Sequence, residues 1–185
     1  MNEIIKGLRQ QFFTYRNGIL ADYLRKAGYP YKIIFGLNLQ QISTIAQSVD
    51  KNKELAEALW QDSTSREGRL IAPFLMPQNE FSLAEATEWA YSIKCEEEAD
   101  VLCHRLLRHM NYAWQLAEVM IKSSVLMERY VALRLMFNLL PGNMDEIKHY
   151  AEEEKAKEEP LTMLLCHQLL DEIAFICEDS IENDG

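Results

Sequence analysis

The chain has 185 residues, of which 48% are hydrophobic and 10% aromatic, and its formal net charge at pH 7 is −10. This length and apolar content favour a single continuous core over two small domains or a disordered chain. Seven glycines and five prolines are too few for the many turns of a β-sandwich, and no run approaches the ~20 apolar residues that a membrane span needs.

Helical periodicity of apolar residues dominates the first half of the chain. It predicts helices over residues 2–16, 19–27, 38–49, 52–61 and 65–76. Gly18 and Gly28 end the first two helices, and Asn38 caps the third. The segment 31–36 is the one β-branched and aromatic patch, and we expect an ordered loop there. Pro73 should kink or shorten the fifth helix.

The second half of the chain continues the helical pattern. Ser82 and Glu85 form a capping box, which predicts that a helix begins there and runs to about Ile93. Further helices are expected over residues 95–110, 112–122, 125–140, 144–158 and 161–180. A break at residues 141–143 and a proline at position 160 separate the last three. The sequence therefore predicts an all-α protein of about ten helices.

The negative charge is confined to the end of the chain. Residues 145–185 contain 13 acidic and 3 basic side chains, whereas the 16 basic and 16 acidic residues of 1–144 cancel. A basic face on the neutral body is therefore compatible with the overall charge. The acidic run at residues 152–159 is expected to be a solvated helix end, with an acidic docking or DNA-mimicking segment as the alternative.

Neither the N-terminus nor the cysteines indicate secretion. Residues 1–10 mix charges with apolar residues and lack the apolar stretch of a signal peptide, so we expect a cytoplasmic protein. All four cysteines lie inside predicted helices and form no Cys-x-x-Cys pair; they are Cys95, Cys103, Cys166 and Cys177. Cys103-His104 and Cys166-His167 could be imagined as zinc ligands, but adjacent helical residues point in different directions. We expect buried reduced thiols, with no metal and no cofactor.

An internal sequence similarity favours a helical-repeat architecture over a simple bundle. Glu67-x-Arg69-x-x-Ala72-x-x-Leu75 is similar to Glu128-Arg129-x-x-Ala132-x-x-Leu135, and the two arginines are sixty residues apart. This spacing equals two helix pairs of about thirty residues, shorter than the usual ~40 of HEAT repeats. We predict one HEAT-like α-solenoid domain, an α-α superhelix, over residues 1–185, with an acidic C-terminal segment at 144–185. The second helices of such pairs line a concave surface suited to a large partner.

Two segments resemble a known family. Residues 55–60, Leu-Ala-Glu-Ala-Leu-Trp, followed by residues 65–72, Ser-Arg-Glu-Gly-Arg-Leu-Ile-Ala, are similar to the DNA alkylation repair family of HEAT-like-repeat alkylpurine DNA glycosylases. Residues 123–132, Ser-Ser-Val-Leu-Met-Glu-Arg-Tyr-Val-Ala, resemble a second segment of that family, in which a tryptophan precedes paired arginines. The resemblance covers roughly residues 38–140.

This resemblance implies a metal-free N-glycosylase that acts on alkylated duplex DNA. In such an enzyme a carboxylate stabilises the positive charge that develops on the sugar as a cationic purine departs. Asp100 matches the catalytic acid of the family, and Arg129 matches one of the paired arginines. The family's tryptophans and second arginine are replaced; their positions hold Cys95, Glu96, Met127 and Tyr130. The resemblance thus implies duplex DNA as the partner and Asp100 and Arg129 as catalytic residues, with catalysis weakened or lost.

Five further arginines are candidates for contacts with DNA phosphates. They are Arg66, Arg69, Arg105, Arg108 and Arg134, and the alternative is that they are scattered surface residues. Trp60, Trp89 and Trp114 are expected in the core rather than as stacking platforms.

Asp100 and the protein as a whole each keep a second interpretation. Asp100 could form an ordinary solvated i,i+4 pair with His104. The protein could be a non-catalytic scaffold that binds a protein partner through its acidic C-terminal helices.

Overall fold

The computed structural model describes residues 1–183, which are helical almost throughout and contain no β-strand beyond an isolated bridge between Ile33 and Ser65. The helices in this part of the chain are α1 (Asn2–Thr14), α2 (Gly18–Lys26), α3 (Leu39–Gln47), α4 (Lys53–Gln61), α5 (Arg66–Leu75), α6 (Leu83–Tyr91), α7 (Glu96–Arg105), α8 (Ala113–Met120), α9 (Leu126–Leu139), α10 (Met144–Lys155) and α11 (Pro160–Asn183). The all-α prediction is confirmed. Residues 184–185 of the predicted acidic segment lie outside the described residues.

Local capping signals set most helix boundaries. The side chains of Asn38, Asn52 and Ser65 each accept a hydrogen bond from the backbone at the start of α3, α4 and α5. Pro73 lies inside α5 and does not break it, since the helix continues to Leu75. Residues 95–110, predicted as one helix, divide into α7 and a 3-10 turn at Leu107–His109.

The contacts divide the chain into two compact units, and the first is Met1–Trp89. Helix α5 is its centre and packs against α3 and α4. Nine of the ten residues of α5 are buried, including the charged residues Arg66, Glu67 and Arg69. A helix that is covered on every side must pair its charges internally, because an isolated buried charge is very costly.

Glu67 supplies that pairing and also anchors the loop that leads into α3. Its carboxylate accepts backbone N–H bonds from Phe35 (3.0 Å), Gly36 (2.9 Å) and Leu37 (3.3 Å), and it forms an ion pair with Arg66 at 2.8 Å. Gly36 has φ +80°, and a Cβ atom there would collide with the backbone of α2 at Asn17 and Ala21. One buried carboxylate thus anchors the end of the ordered loop predicted for residues 31–36, and backbone bonds of Ile33 and Phe35 to residues 64, 66 and 17 fix the rest.

The second unit extends from Ala90 onward and is built around α9. Helix α9 packs against α7, α8 and α11, and α10 packs against α11. The centre of α9 is buried from Arg129 to Leu133 and again at Leu135 and Met136. One edge of α9 faces α7, and that edge carries the polar residues Tyr130 and Arg134.

Helix α11 departs from the expectation that no segment could span a membrane. Its stretch Pro160–Asp179 has 20 residues at a mean hydropathy of 1.3, so by length and composition alone it could cross a membrane. One side of the helix belongs to the core of the second unit, with Leu165, Cys166, Leu169 and Ile173 buried. The core helix of a soluble bundle passes the same test of length and hydropathy, so this feature does not assign a membrane.

The capping box at the start of α6 predicts a measurable pH dependence. Glu85 forms an ion pair with Lys53 (2.5 Å) and accepts hydrogen bonds from the backbone N–H and the hydroxyl of Ser82. These contacts lower the pKa of Glu85 to about 2. Stability that depends on ionised Glu85 is present above its unfolded pKa of 4.5 and is lost as the pH falls towards 2. We expect Glu85→Gln to flatten the fall in free energy of unfolding over this window, as measured by urea titration at several pH values. Glu88→Gln on the exposed side of the same helix is the control and should keep the wild-type slope.

Candidate functional site

Asp100 on α7 is held by two side chains of α9. The Tyr130 hydroxyl donates to Asp100 Oδ1 at 3.1 Å, and Arg134 Nε lies 2.6 Å from the same oxygen. Arg134 Nη2 also donates to the Tyr130 hydroxyl at 3.4 Å, which closes the triangle. Tyr130 and Arg134 are four residues apart and therefore lie on one face of α9. The packing of α9 on α7 turns that face towards the carboxylate.

The Asp100 carboxylate combines a fixed oxygen with a free one. Its side chain is 43% exposed, and none of the described residues bonds to Oδ2. Burial raises the pKa of Asp100, and the charge of Arg134 and the hydroxyl of Tyr130 oppose that rise. The same environment raises the pKa of Tyr130 to about 12, mainly through burial. Tyr130 therefore keeps its proton at neutral pH and remains a donor to Asp100.

The polar contacts continue one helical turn further along α7 and α9. His104 Nδ1 lies 2.9 Å from Asn138 Oδ1, and the amide of Asn138 donates to the carbonyl of Arg134 at 2.8 Å. Arg108 reaches His104 Nδ1 at 3.3 Å and His109 Nε2 at 3.2 Å. Asp100 is thus paired with Arg134 rather than with His104, the partner expected from the i,i+4 spacing.

These residues form one surface feature, which we call the α7–α9 polar strip. It comprises Tyr130, Asp100, Arg134, Asn138, His104 and Arg108. The strip itself carries two guanidinium groups and one carboxylate, and the negative charge of Glu96 on α7 also acts on Asp100. Arg105 directly follows His104 at the end of α7 and is partly buried. A strip of this composition can bind an anion and can also present one carboxylate oxygen to a positively charged group.

Arg129, the second predicted catalytic residue, lies in a different network. Its side chain is 8% exposed, and Nε bonds both carboxylate oxygens of Glu154 at 2.9 and 3.0 Å. Its Nη1 donates to the carbonyls of Ser123 and Ser124, each at 3.2 Å. Glu154 is itself buried and accepts further bonds from Lys157 and Thr162. The structure therefore does not bring Arg129 into contact with Asp100.

Two of the predicted DNA-binding arginines are interior residues of the first unit. Arg66 is 3% exposed and donates to the carbonyl of Leu37 as well as to Glu67. Arg69 is 2% exposed, donates to the carbonyl of Trp60 and lies 3.9 Å from the centre of the Trp60 ring. In this conformation neither guanidinium offers a surface to a phosphate. Arg108 and Arg134 are the predicted arginines that the structure places together.

The tryptophans and cysteines follow the sequence expectation for the most part. Trp60 and Trp89 are buried and stacked, with ring centres 4.5 Å apart, whereas Trp114 is half-buried. Cys95, Cys103 and Cys166 are buried free thiols, and Cys177 is exposed. The described residues contain no group of three or more His, Cys, Asp or Glu side chains arranged to hold a metal ion.

Sequence reasoning missed the donors that position Asp100. The family resemblance identifies Tyr130 only as the replacement of an arginine, and the sequence does not link Asn138 with His104. The available signal was the spacing of Tyr130, Arg134 and Asn138 at successive intervals of four residues, which places three polar groups on one face of α9.

A family model described as DNA alkylation repair enzyme matches residues 9–172. No curated protein and no solved structure matches the chain significantly.

Proposed function

Because this match spans most of its length, the protein belongs to the DNA alkylation repair enzyme family, and we propose that it binds duplex DNA through the α7–α9 polar strip and excises alkylated purines with the help of Asp100. One observation carries the proposal: Asp100 is a partly exposed carboxylate with one oxygen fixed by Tyr130 and Arg134 and the other not bonded to any of the described residues. Guanidinium groups flank it along the same strip.

The DNA-binding part of the proposal rests on Arg108 and Arg134. Arg108 is exposed, and Arg134 is partly exposed while it holds Asp100. Guanidinium groups match phosphate geometry well, and His104 adds a further polar contact one turn away. Arg66, Arg69 and Arg129 are not proposed as phosphate ligands, because their donors are occupied inside the protein. Arg105 is retained as a secondary contact at the end of α7.

The chemical part of the proposal concerns Asp100 Oδ2. A purine alkylated at N3 or N7 carries a positive charge, and its departure leaves positive charge on the deoxyribose. A carboxylate in a partly desolvated site stabilises that charge more than a carboxylate in water does. Arg134 neutralises part of the Asp100 charge, and the positions of the family's aromatic residues hold Cys95, Glu96 and Met127. We therefore expect slow excision.

The same family membership supports HEAT-like repeats within each unit. Helix α4 packs on α5, α8 packs on α9, and α10 packs on α11. The repeated motif occupies the second helix of the first two pairs, and in both cases its arginine, alanine and leucine are buried; these residues are Arg69, Ala72 and Leu75 in α5 and Arg129, Ala132 and Leu135 in α9. We propose that these pairs are equivalent repeat units. The extended solenoid over residues 1–185 stays a prediction.

Binding to DNA is tested by its dependence on salt. We expect the wild-type protein to bind a fluorescent duplex with an affinity that falls linearly with salt on a double-logarithmic plot. Arg108→Ala removes one phosphate contact, so the slope should become shallower by about 1 and the affinity should fall about tenfold. Fluorescence anisotropy between low and physiological salt measures both quantities.

The matched control is Lys122→Ala, which removes an exposed positive charge of the second unit outside the strip. It should leave the salt slope near that of the wild type. Equal losses in the two variants would show that the attraction is diffuse and not localised at the strip. Absence of duplex binding even at low salt would contradict the DNA-binding proposal altogether.

A second candidate function is a protein-interaction scaffold, and the surface of α10 and α11 favours it. This surface exposes acidic side chains, among them Glu152, Glu153, Asp171 and Glu172, beside the exposed apolar residues Leu164 and Phe175. Such a surface suits a basic partner with an apolar anchor. The scaffold function is favoured if the protein neither binds duplex DNA nor releases base from alkylated DNA.

A further inference from the structure

The first unit contains a cleft that the proposed function does not use. It has a volume of ≈ 420 Å³ and lies between the end of α1, the start of α2 and the segment 32–35. Cationic, aromatic and aliphatic side chains line it, among them Phe13, Arg16, Arg25, Lys32, Ile34 and Phe35. Clefts of this size hold ligands of roughly drug or mononucleotide dimensions.

The inner part of the cleft is apolar and aromatic. Ala21 and Ile34 are buried, and Phe35 is partly exposed, with its ring centre 5.9 Å from that of the buried Phe12. At the rim, the Phe13 ring is 56% exposed although it is large and apolar. The Arg16 guanidinium lies 3.8 Å from the centre of that ring, which leaves the opposite face of the ring for another planar group.

The charged groups that line the cleft are all cationic. Arg25 is fixed in place by Asp22 at 2.8 Å and by the carbonyl of Ile34 at 3.0 Å. Arg16 donates to the carbonyl of Phe13 at 3.1 Å and forms no ion pair with any described residue. Lys32 is exposed and likewise has no acidic partner in the described part of the chain. The neighbouring carboxylates are Asp22, which pairs with Arg25, and the buried Glu67 behind Phe35, which pairs with Arg66. Arg16 and Lys32 therefore leave the cleft with an excess of positive charge that attracts an anion.

We propose that this cleft binds a nucleoside phosphate. Lys32 and Arg16 receive the phosphate, and the base packs on the free face of Phe13 above the apolar wall formed by Ile34 and Phe35. Lysine and arginine form charge-assisted hydrogen bonds to phosphate, and aromatic rings stack on any base. A free nucleotide and the phosphorylated end of a DNA strand share this chemistry. The proposal is independent of the α7–α9 polar strip.

The test uses the full-length protein and isothermal titration calorimetry with dGMP, deoxyguanosine and inorganic phosphate. We expect dGMP to bind at least tenfold more tightly than either fragment, because only dGMP supplies both the base and the phosphate. Lys32→Glu should weaken dGMP binding by tenfold or more, and Phe13→Ala should weaken it several-fold. Both positions are exposed, so neither change threatens folding.

Three further arms decide between sources and exclude general effects. A short single strand with a 5′-phosphate that binds more tightly than the same strand with a 5′-hydroxyl would identify a DNA end as the ligand, whereas preference for dGMP would identify a free nucleotide. Lys26→Glu changes the same charge outside the cleft and should alter the dGMP affinity less than twofold. Arg108→Ala should leave it unchanged. Equal binding of dGMP and deoxyguanosine, no binding of either dGMP or the phosphorylated strand, or an unaltered affinity in Lys32→Glu would overturn the proposal.

Discussion

Glu67→Gln is expected to lower the free energy of unfolding by about 3–5 kcal/mol, the cost of breaking a buried ion pair on one side. Glu67 is 0% exposed and is the shared acceptor for Arg66 and for the backbone N–H groups of residues 35–37. Glutamine keeps the shape of the side chain but leaves Arg66 as an uncompensated charge. It also turns one acceptor into a donor that faces other donors. Urea unfolding followed by circular dichroism measures the change as a lower midpoint.

The matched control is Glu54→Gln, the same chemical change on the exposed side of α4. Surface substitutions of this kind usually stay within about 0.5 kcal/mol of the parent protein. A loss of less than ~1 kcal/mol in Glu67→Gln would show that the loop at residues 35–37 finds other partners or water, and that the carboxylate is not its anchor. An unchanged m-value is needed for this comparison, since a changed m-value would indicate a different unfolded or native state.

The positions of the helices could be predicted because their boundaries are set by local chemistry. Asn38 caps α3 and Ser82 with Glu85 starts α6 through bonds that involve only neighbouring residues. Likewise, the break at residues 141–143 separates α9 from α10, as expected from proline and glycine. Residues 95–110 contain no proline or glycine, so no local signal predicts that they divide into α7 and a 3-10 turn.

The roles of the arginines could not be predicted in the same way, because they depend on which helices surround them. Arginine is usually exposed, yet Arg66 and Arg69 lie inside because α5 is covered on every side. One signal was available in the run from Leu70 to Leu75, which is apolar at every position and indicates a helix without a solvent face. Arg129 is a similar case. Its partner Glu154 lies in the acidic run 152–159, for which the sequence predicts a solvated helix end or an acidic docking or DNA-mimicking segment, and not a buried ion pair.

The candidate site illustrates the difference between finding a residue and finding its environment. The family resemblance identified Asp100 from a short motif, but its contacts come from α9, thirty residues further along the chain. The face of α9 that meets α7 is decided by tertiary packing and not by the periodicity of α9, whose apolar residues occupy nearly all sides. The Asp100–Tyr130–Arg134 triangle therefore became visible only in the structure.

Asp100→Asn is expected to reduce the release of 7-methylguanine or 3-methyladenine from alkylated DNA by about 10²-fold, the usual cost of removing one preorganised electrostatic contact. Asparagine retains an oxygen that can accept from Tyr130, so the positions of α7 and α9 should change little. Under the proposed mechanism it also removes the negative charge that Oδ2 presents to the sugar as the base departs. The measurement is single-turnover release of free base, compared with the spontaneous rate on the same DNA.

A charge control and an independent binding measurement give this result its meaning. Asp145→Asn removes an exposed carboxylate of the second unit away from the strip and should release base at the wild-type rate. The affinity of Asp100→Asn for duplex DNA should be retained or increased, because one negative charge is removed from the strip. Equal release by the wild type and Asp100→Asn would remove Asp100 from the chemistry. The wild type could also release no base above the spontaneous rate and still bind duplex DNA with the expected salt dependence. That result would mean that catalysis has been lost on a surface that still recognises DNA. Arg134 would then be the first residue to examine, because it neutralises part of the Asp100 charge that the proposed excision requires.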